Sequence, residues 1–228
     1  MTQLLLIRHA QNDWVGQRLA GWTPGVHLND AGRAEAAALA DRLDGYRLDA
    51  VYASPLARAQ ETAALLAERR GLEVRPLYGI AEVNYGGWTG EVLETLRRDP
   101  LWPQVQFYPS ATRFPDGETL GEVQARAVAA LEAVRTAHPG GVVAAVSHAD
   151  VIKAVVAHFV GTHLDLFQRL VVDTASVSVV RFTPFGPRLL ALNETGRVPP
   201  APEPEAPPSD RSTGEGGNPP ADGEGAQP

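Results

Sequence analysis

The sequence predicts an α/β fold, a three-layer α/β/α sandwich on a mostly parallel central sheet. Three observations predict it. Short β-like runs alternate with longer helix-like runs, the pattern of strand–helix–strand units. Leu4-Leu5-Leu6-Ile7 and Val142-Val143-Ala144-Ala145-Val146 are apolar throughout instead of alternating, as strands buried on both faces are. The helix-like stretches between the strands carry start and stop signals at the expected places.

The first strand is Leu4–Ile7. Asn29 or Asp30 caps a helix that runs to about Leu43, with Leu39 and Leu43 one turn apart. Ala50-Val51-Tyr52-Ala53 is the second strand. Ser54 reads as an N-cap with Pro55 at the first helical position, starting a helix that stops near Gly71. Residues 76–115 are loop-rich. A long helix fits 117–137, where Val123, Ala127, Leu131 and Val134 form one stripe, and His138-Pro139-Gly140-Gly141 ends it. The third strand follows at 142–146, and Val151, Ile152, Val155, Val156 and Phe159 face inward on the next helix. Strands at about 170–173, 176–183 and 188–192 complete the sheet. No internal repeat is present.

The chain of 228 residues is long enough for one sizeable core. That domain is expected over residues 1–196. From Arg197 to Pro228 nine prolines, five glycines and six acids leave almost no large apolar side chain. Such a segment buries too little apolar surface to offset its ordering entropy, so a disordered, acidic Pro/Gly-rich tail is expected. The chain has no cysteine, which excludes disulfides, thiolate nucleophiles and cysteine zinc sites. The N-terminus reads as a strand and not as a signal peptide, and no apolar run reaches the roughly 18–20 residues of a membrane helix. A cytoplasmic location without a membrane partner is therefore expected. The net charge of −7 argues against a nucleic-acid partner. The oligomeric state is left open, a homodimer being one option.

Three of these strands end in chemistry-bearing residues. The first runs into Arg8-His9, the second into Ser54 with Arg58 one turn beyond, and the third into Ser147-His148. Ligands in open α/β sheets bind outside the carboxyl ends of strands. Helical side chains tilt toward the helix N-terminus, which aims Arg58 at the same edge. Two histidines and two arginines meeting in one cleft suit a dianion, and the arginines repel a metal cation. Phosphate loops of the GxxxxGK kind, dinucleotide GxGxxG loops and GxSxG elbows are absent. His158 and His163 lack the i, i+4 spacing of a helical metal pair and read as helix-end and loop residues.

At these residues the sequence resembles the histidine phosphatase superfamily, the phosphoglycerate mutase-like family. Leu6-Ile7-Arg8-His9-Ala10 is similar to its Arg-His-Gly signature. Gly21-Trp22 and Leu28-Asn29-Asp30-Ala31-Gly32 resemble the segment that follows in the mutase-like branch. Ser54-Pro55-Leu56-Ala57-Arg58-Ala59-Gln60-Glu61-Thr62-Ala63 matches the second signature, and Glu82-Val83-Asn84-Tyr85-Gly86-Gly87-Trp88-Thr89-Gly90 resembles the acidic motif. Pro115-Asp116-Gly117-Glu118-Thr119 and Ser147-His148-Ala149-Asp150 follow in the family order.

The resemblance implies a metal-independent phosphomonoesterase that needs no cofactor and acts on a small phosphorylated metabolite. His9 would be the nucleophile, with Arg8, Arg58 and His148 on the phosphoryl oxygens. Glu82 would be the acid that protonates the leaving oxygen, and Glu91 the fallback. The implied substrate-binding set is Arg8, Arg58, His148, Gly21, Asn12 and Ala149. Ala10 and Ala149 stand where the family has glycine, so a narrowed or shifted phosphate pocket is expected. Val15 replaces a substrate-binding asparagine, for which Asn12 or Gln11 would compensate.

A phosphomutase is the alternative. That branch carries a lysine and paired arginines after the acidic motif, whereas residues 91–115 offer Arg97, Arg98 and Arg113 without a lysine. A protein phosphohistidine phosphatase and a non-catalytic interaction protein are two further readings. Trp88, Trp102, Phe107 and Tyr108 are expected either at an apolar pocket rim or in the core.

Overall fold

The computed structural model describes residues 1–196; the acidic tail expected from residue 197 lies outside them. Six strands form one sheet: β1 (Gln3–Arg8), β2 (Ala50–Ala53), β3 (Val74–Pro76), β4 (Val142–Ser147), β5 (Val177–Thr183) and β6 (Gly186–Glu194). Their spatial order is β3-β2-β4-β1-β5-β6. The β3, β2, β4 and β1 strands run parallel, and β5 and β6 close one side antiparallel. The expected mostly parallel centre is therefore present.

Alternation along the buried strands builds the three layers, because successive side chains point to opposite faces. Leu4 and Leu6 of β1, with Val143 and Ala145 of β4, pack against α5 (Leu120–Ala137) and α6 (Ala149–Val160). Leu5 and Ile7, with Val142, Ala144 and Val146, pack against α1 (Asp30–Arg42) and α2 (Ala57–Glu68). Two short helices, α3 (Leu93–Leu96) and α4 (Trp102–Phe107), lie in the loop-rich region. Among the described residues no helix is long and apolar enough to cross a membrane.

The caps explain the helix starts. Asn29 accepts from the Gly32 N–H, and Thr119 with Glu122 forms a capping box that begins α5 at Leu120. Gly32 also sets how closely α1 approaches the loop after β1. A Cβ there would lie 1.9 Å from the Gln11 carbonyl oxygen, so only glycine fits.

Several expectations fail locally. Ser54 is not an N-cap: α2 starts at Ala57, with Leu56 as its cap residue. The residue before a proline is driven to extended backbone, and the Ser54 hydroxyl is engaged by His148. The 170–173 segment is not a strand. Two of its backbone groups go to side chains instead, Val172 O to Arg8 and the Asp173 N–H to Asn193. β3 was not anticipated; it is three residues long, half-exposed, and ends in proline at the sheet edge.

Candidate active site

Adjacent parallel strands β2, β4 and β1 end together, and the candidate residues project from those ends. The His9 N–H donates to Ser147 O and the Ser54 N–H to Val146 O, which ties the three termini into one edge. A cavity of about 170 Å³ opens there. Arg8, His9, Asn12, Arg58, Glu82 and Ala149 line it, joined by Val15 and by several residues the sequence did not single out.

His9 is buried, and its Nδ1 lies 2.8 Å from the Ala10 carbonyl oxygen. A carbonyl only accepts, so Nδ1 carries the proton and Nε2 holds the free lone pair. Burial, and then the charges of Arg58 and Arg8, hold the imidazole's pKa well below its ordinary value. At neutral pH His9 is thus an uncharged imidazole with one basic nitrogen. The Ala10 N–H donates to Thr62 Oγ1, whose hydroxyl donates to Arg58 O, so α2 and the His9 loop hold each other in place.

Arg58 is 1% exposed, yet only one of its nitrogens is well occupied. Nη2 donates to Gly21 O at 3.0 Å and to His148 Nδ1 at 3.2 Å. Arg58 Nε and Nη1, and Arg8 Nε, are buried without a hydrogen-bond partner. Five such atoms occur among the described side chains, and three belong to these two arginines. An unsatisfied buried donor costs about 1–3 kcal/mol, more when charged. Three of them belong to the two arginines that line the cavity with His9, and an oxyanion there would satisfy them. Arg8 is held from behind by Nη1 donating to Val172 O at 2.8 Å.

Glu82 is 9% exposed and its pKa is raised to about 7. Burial is the main cause, Asp150 adds to it, and Arg58, the Val83 N–H and Arg8 oppose it. Its Oε1 accepts from the Val83 N–H at 3.0 Å, and Oε2 lies 3.8 Å from Arg58 Nη2 and 3.4 Å from His148 Nδ1. His148 is fully buried behind this group. Because Arg58 only donates, His148 Nδ1 accepts, and Nε2–H donates to Ser54 Oγ at 2.8 Å. Neither His148 nor Gly21 lines the cavity. Both brace Arg58, Gly21 through its carbonyl and His148 through its ring.

The methyl of Ala10 does not narrow the cavity. It is fully buried among Leu5, Ile7, Ala59 and Ala63, away from the lining, whereas Ala149 does line it. Glu91, the fallback acid, is exposed and outside the lining. Trp88 is core and stacks on Trp102, while Phe107 and Tyr108 are exposed and do not line the cavity. Among the described residues no group of three or more His, Asp and Glu is placed to hold a metal ion.

The model of the histidine phosphatase superfamily, branch 1, matches residues 4–195. This chain belongs to that superfamily. It is 34% identical over 202 residues to phosphoserine phosphatase 1 of Hydrogenobacter thermophilus, covering 86% of this chain and 93% of that protein. It also matches the bifunctional protein Rv2228c of Mycobacterium tuberculosis at 30% identity, over 86% of this chain but only 54% of that longer protein. Among solved structures, the mycobacterial glucosyl-3-phosphoglycerate phosphatase Rv2419c complexed with VO3 superposes with a TM-score of 0.76. That match has 28% identity and covers 84% of this chain and 98% of the other.

Sequence reasoning missed the supports of this histidine phosphatase site. Arg126 donates to Gly79 O, Ala81 O and Glu82 O while its fork grips Glu118, which fixes the backbone that carries Glu82. Trp22 Nε1–H and Ser147 Oγ–H donate to Glu82 O and Ile80 O from the other side. Tyr85 donates to Asp150 at 2.9 Å, and both residues line the cavity. Arg126 sits mid-helix with the same pattern as a surface arginine, so no sequence signal separates it from one.

Proposed function

We propose that this chain is a phosphomonoesterase that hydrolyses a small phosphorylated metabolite through a phosphohistidine on His9, without a metal. The observation that carries the reading is the uncharged His9, its Nε2 free, beside the three orphaned N–H groups of Arg8 and Arg58. The phosphatase names of its relatives support it.

In the first step His9 Nε2 attacks phosphorus and the bond to the ester oxygen breaks. Arg8 and Arg58 offset the charge that gathers on the equatorial oxygens. Protonated Glu82 gives its proton to the departing oxygen, so an alcohol leaves and not an alkoxide. In the second step Glu82, now a carboxylate, takes a proton from water as that water attacks phosphorus and the P–N bond breaks. A carboxyl with a pKa of about 7 serves both roles near neutrality. The Nδ1–H bond to Ala10 O holds the ring in one tautomer throughout.

Hydrolysis is favoured over phosphoryl isomerisation by what the arginines of residues 91–115 do. Arg97 and Arg98 pair with Glu94, and Arg113 with Glu122, all at the surface and outside the cavity. The decisive experiment is a rapid acid or alkali quench with a labelled phosphomonoester. An alkali-stable, acid-labile phosphoryl group is expected on wild type and not on His9→Ala, together with loss of phosphate release. Release that persists in His9→Ala, or isomerisation of phosphoglycerates much faster than release, overturns the proposal.

A further inference from the structure

Three arginines line the cavity, and one is unlike the others. Arg8 and Arg58 sit close enough to depress the pKa of His9 by their charge; Arg18 is not among the charges that do so. It lies further out, on the loop after β1, where it forms an antiparallel bridge with Val92. Arg18 Nη1 donates to Gly90 O at 3.0 Å, and its guanidinium sits 5.8 Å from the centre of the Trp14 ring.

Arg18 is held in place but not neutralised. Among the described residues no carboxylate lies within ion-pair distance of it, whereas Arg97, Arg98, Arg113 and Arg126 each pair with a glutamate. Of the two acids that share the cavity, Glu82 sits beside Arg58 at 3.8 Å, and Asp150 is already met by the Tyr85 hydroxyl and by Lys153 Nζ at 3.5 Å. The surplus charge at the outer end is therefore positive. The lining also includes Val15, Leu19 and Leu93, which suit a short carbon skeleton.

We propose that Arg18 reads a carboxylate on the part of the substrate that is not transferred. Small phosphomonoesters bearing a carboxylate are then the preferred class. The inference rests on the phosphoryl group occupying the His9, Arg8 and Arg58 end. A carboxylate fits better than a second phosphate because Nη1 is spent on Gly90, which leaves one N–H edge of a single cation. That edge matches the two oxygens of a carboxylate. A phosphate dianion calls for more than one cation.

Two substrate pairs, each differing chiefly by the carboxylate, test this. They are phosphoserine against phosphoethanolamine, and phosphoglycerate against glycerol phosphate. Wild type is expected to prefer the carboxylate member of both pairs in kcat/KM. In Arg18→Gln that preference is expected to fall by roughly tenfold or more, carried mainly by KM, as for a lost charged hydrogen bond. Arg18→Lys is expected to fall between the two. Arg97→Gln, a surface change outside the cavity, is expected to keep the wild-type ratio. His9-dependent hydrolysis with equal rates within each pair, or a ratio unchanged in Arg18→Gln, overturns the assignment and leaves the proposed reaction standing. A stronger preference for a bisphosphate than for either carboxylate substrate overturns it too. Absence of His9-dependent hydrolysis of any phosphomonoester, including p-nitrophenyl phosphate, overturns both.

Discussion

Replacing Glu82 by glutamine should make the protein more stable at pH 8 while impairing its chemistry. The pKa of Glu82 rises from the ordinary 4.5 to about 7 on folding. Between those values the folded chain binds a proton that the unfolded chain has released, so stability falls as pH rises through the window. Above pH 7 the folded protein carries an ionised, buried carboxylate. A difference of about 2.5 pKa units at about 1.36 kcal/mol each places its cost near 3 kcal/mol. Glutamine mimics the protonated form: it still accepts from the Val83 N–H and carries no charge. Glu82→Gln is therefore expected to match wild type near pH 4.5 and to exceed it by about 3 kcal/mol at pH 8. Urea denaturation of both proteins across this range, in phosphate-free buffer, measures the difference. The histidines of the unfolded chains titrate alike in both proteins and cancel. A gap that does not change with pH, or a variant less stable than wild type at pH 8, refutes the burial argument for Glu82.

The same carboxyl shapes the kinetics. For wild type, kcat/KM with alkyl phosphates should decline above about pH 7, where Glu82 has lost its proton, and should not decline on the acid side until His9 is protonated well below its ordinary range. Glu82→Gln should lose this alkaline limb and suffer far more with alkyl phosphates than with p-nitrophenyl phosphate, whose leaving group needs no proton; equal losses on both would exclude the acid role. Gly21→Ala tests the brace on Arg58. Gly21 has φ +48°, and a Cβ there would meet Thr89 Oγ1 at 3.0 Å, so the carbonyl that holds Arg58 is expected to shift. A cost of about 1–2 kcal/mol in stability and a raised KM should follow, and an unchanged KM would show that Arg58 does not depend on Gly21.

Much of this molecule is legible in the order of its residues. Apolar runs such as Leu4–Ile7 admit one comfortable environment, the middle of a sheet covered on both faces, and Asn29 starts a helix by a local hydrogen bond. Because strand ends in such a sheet share an edge, His9, Arg58 and His148 were bound to converge once the strands were recognised. Local signals failed where a side chain had a distant partner. Ser54 looked like a cap and instead serves His148, 94 residues away. The 170–173 run looked like a strand and instead supplies Arg8 with a carbonyl.

The sequence by itself thus determined that Arg8, His9, Arg58 and His148 share one edge of the sheet. Only the tertiary structure decided their states: which nitrogen of His9 is free, which arginine protons lack partners, and how far Glu82 is held from its ordinary pKa. The physical reason is that residue identity and spacing are properties of the chain, whereas desolvation and hydrogen-bond satisfaction belong to the packed surroundings. Those surroundings are assembled here from segments far apart in sequence, Arg126 behind Glu82 and Gly21 behind Arg58.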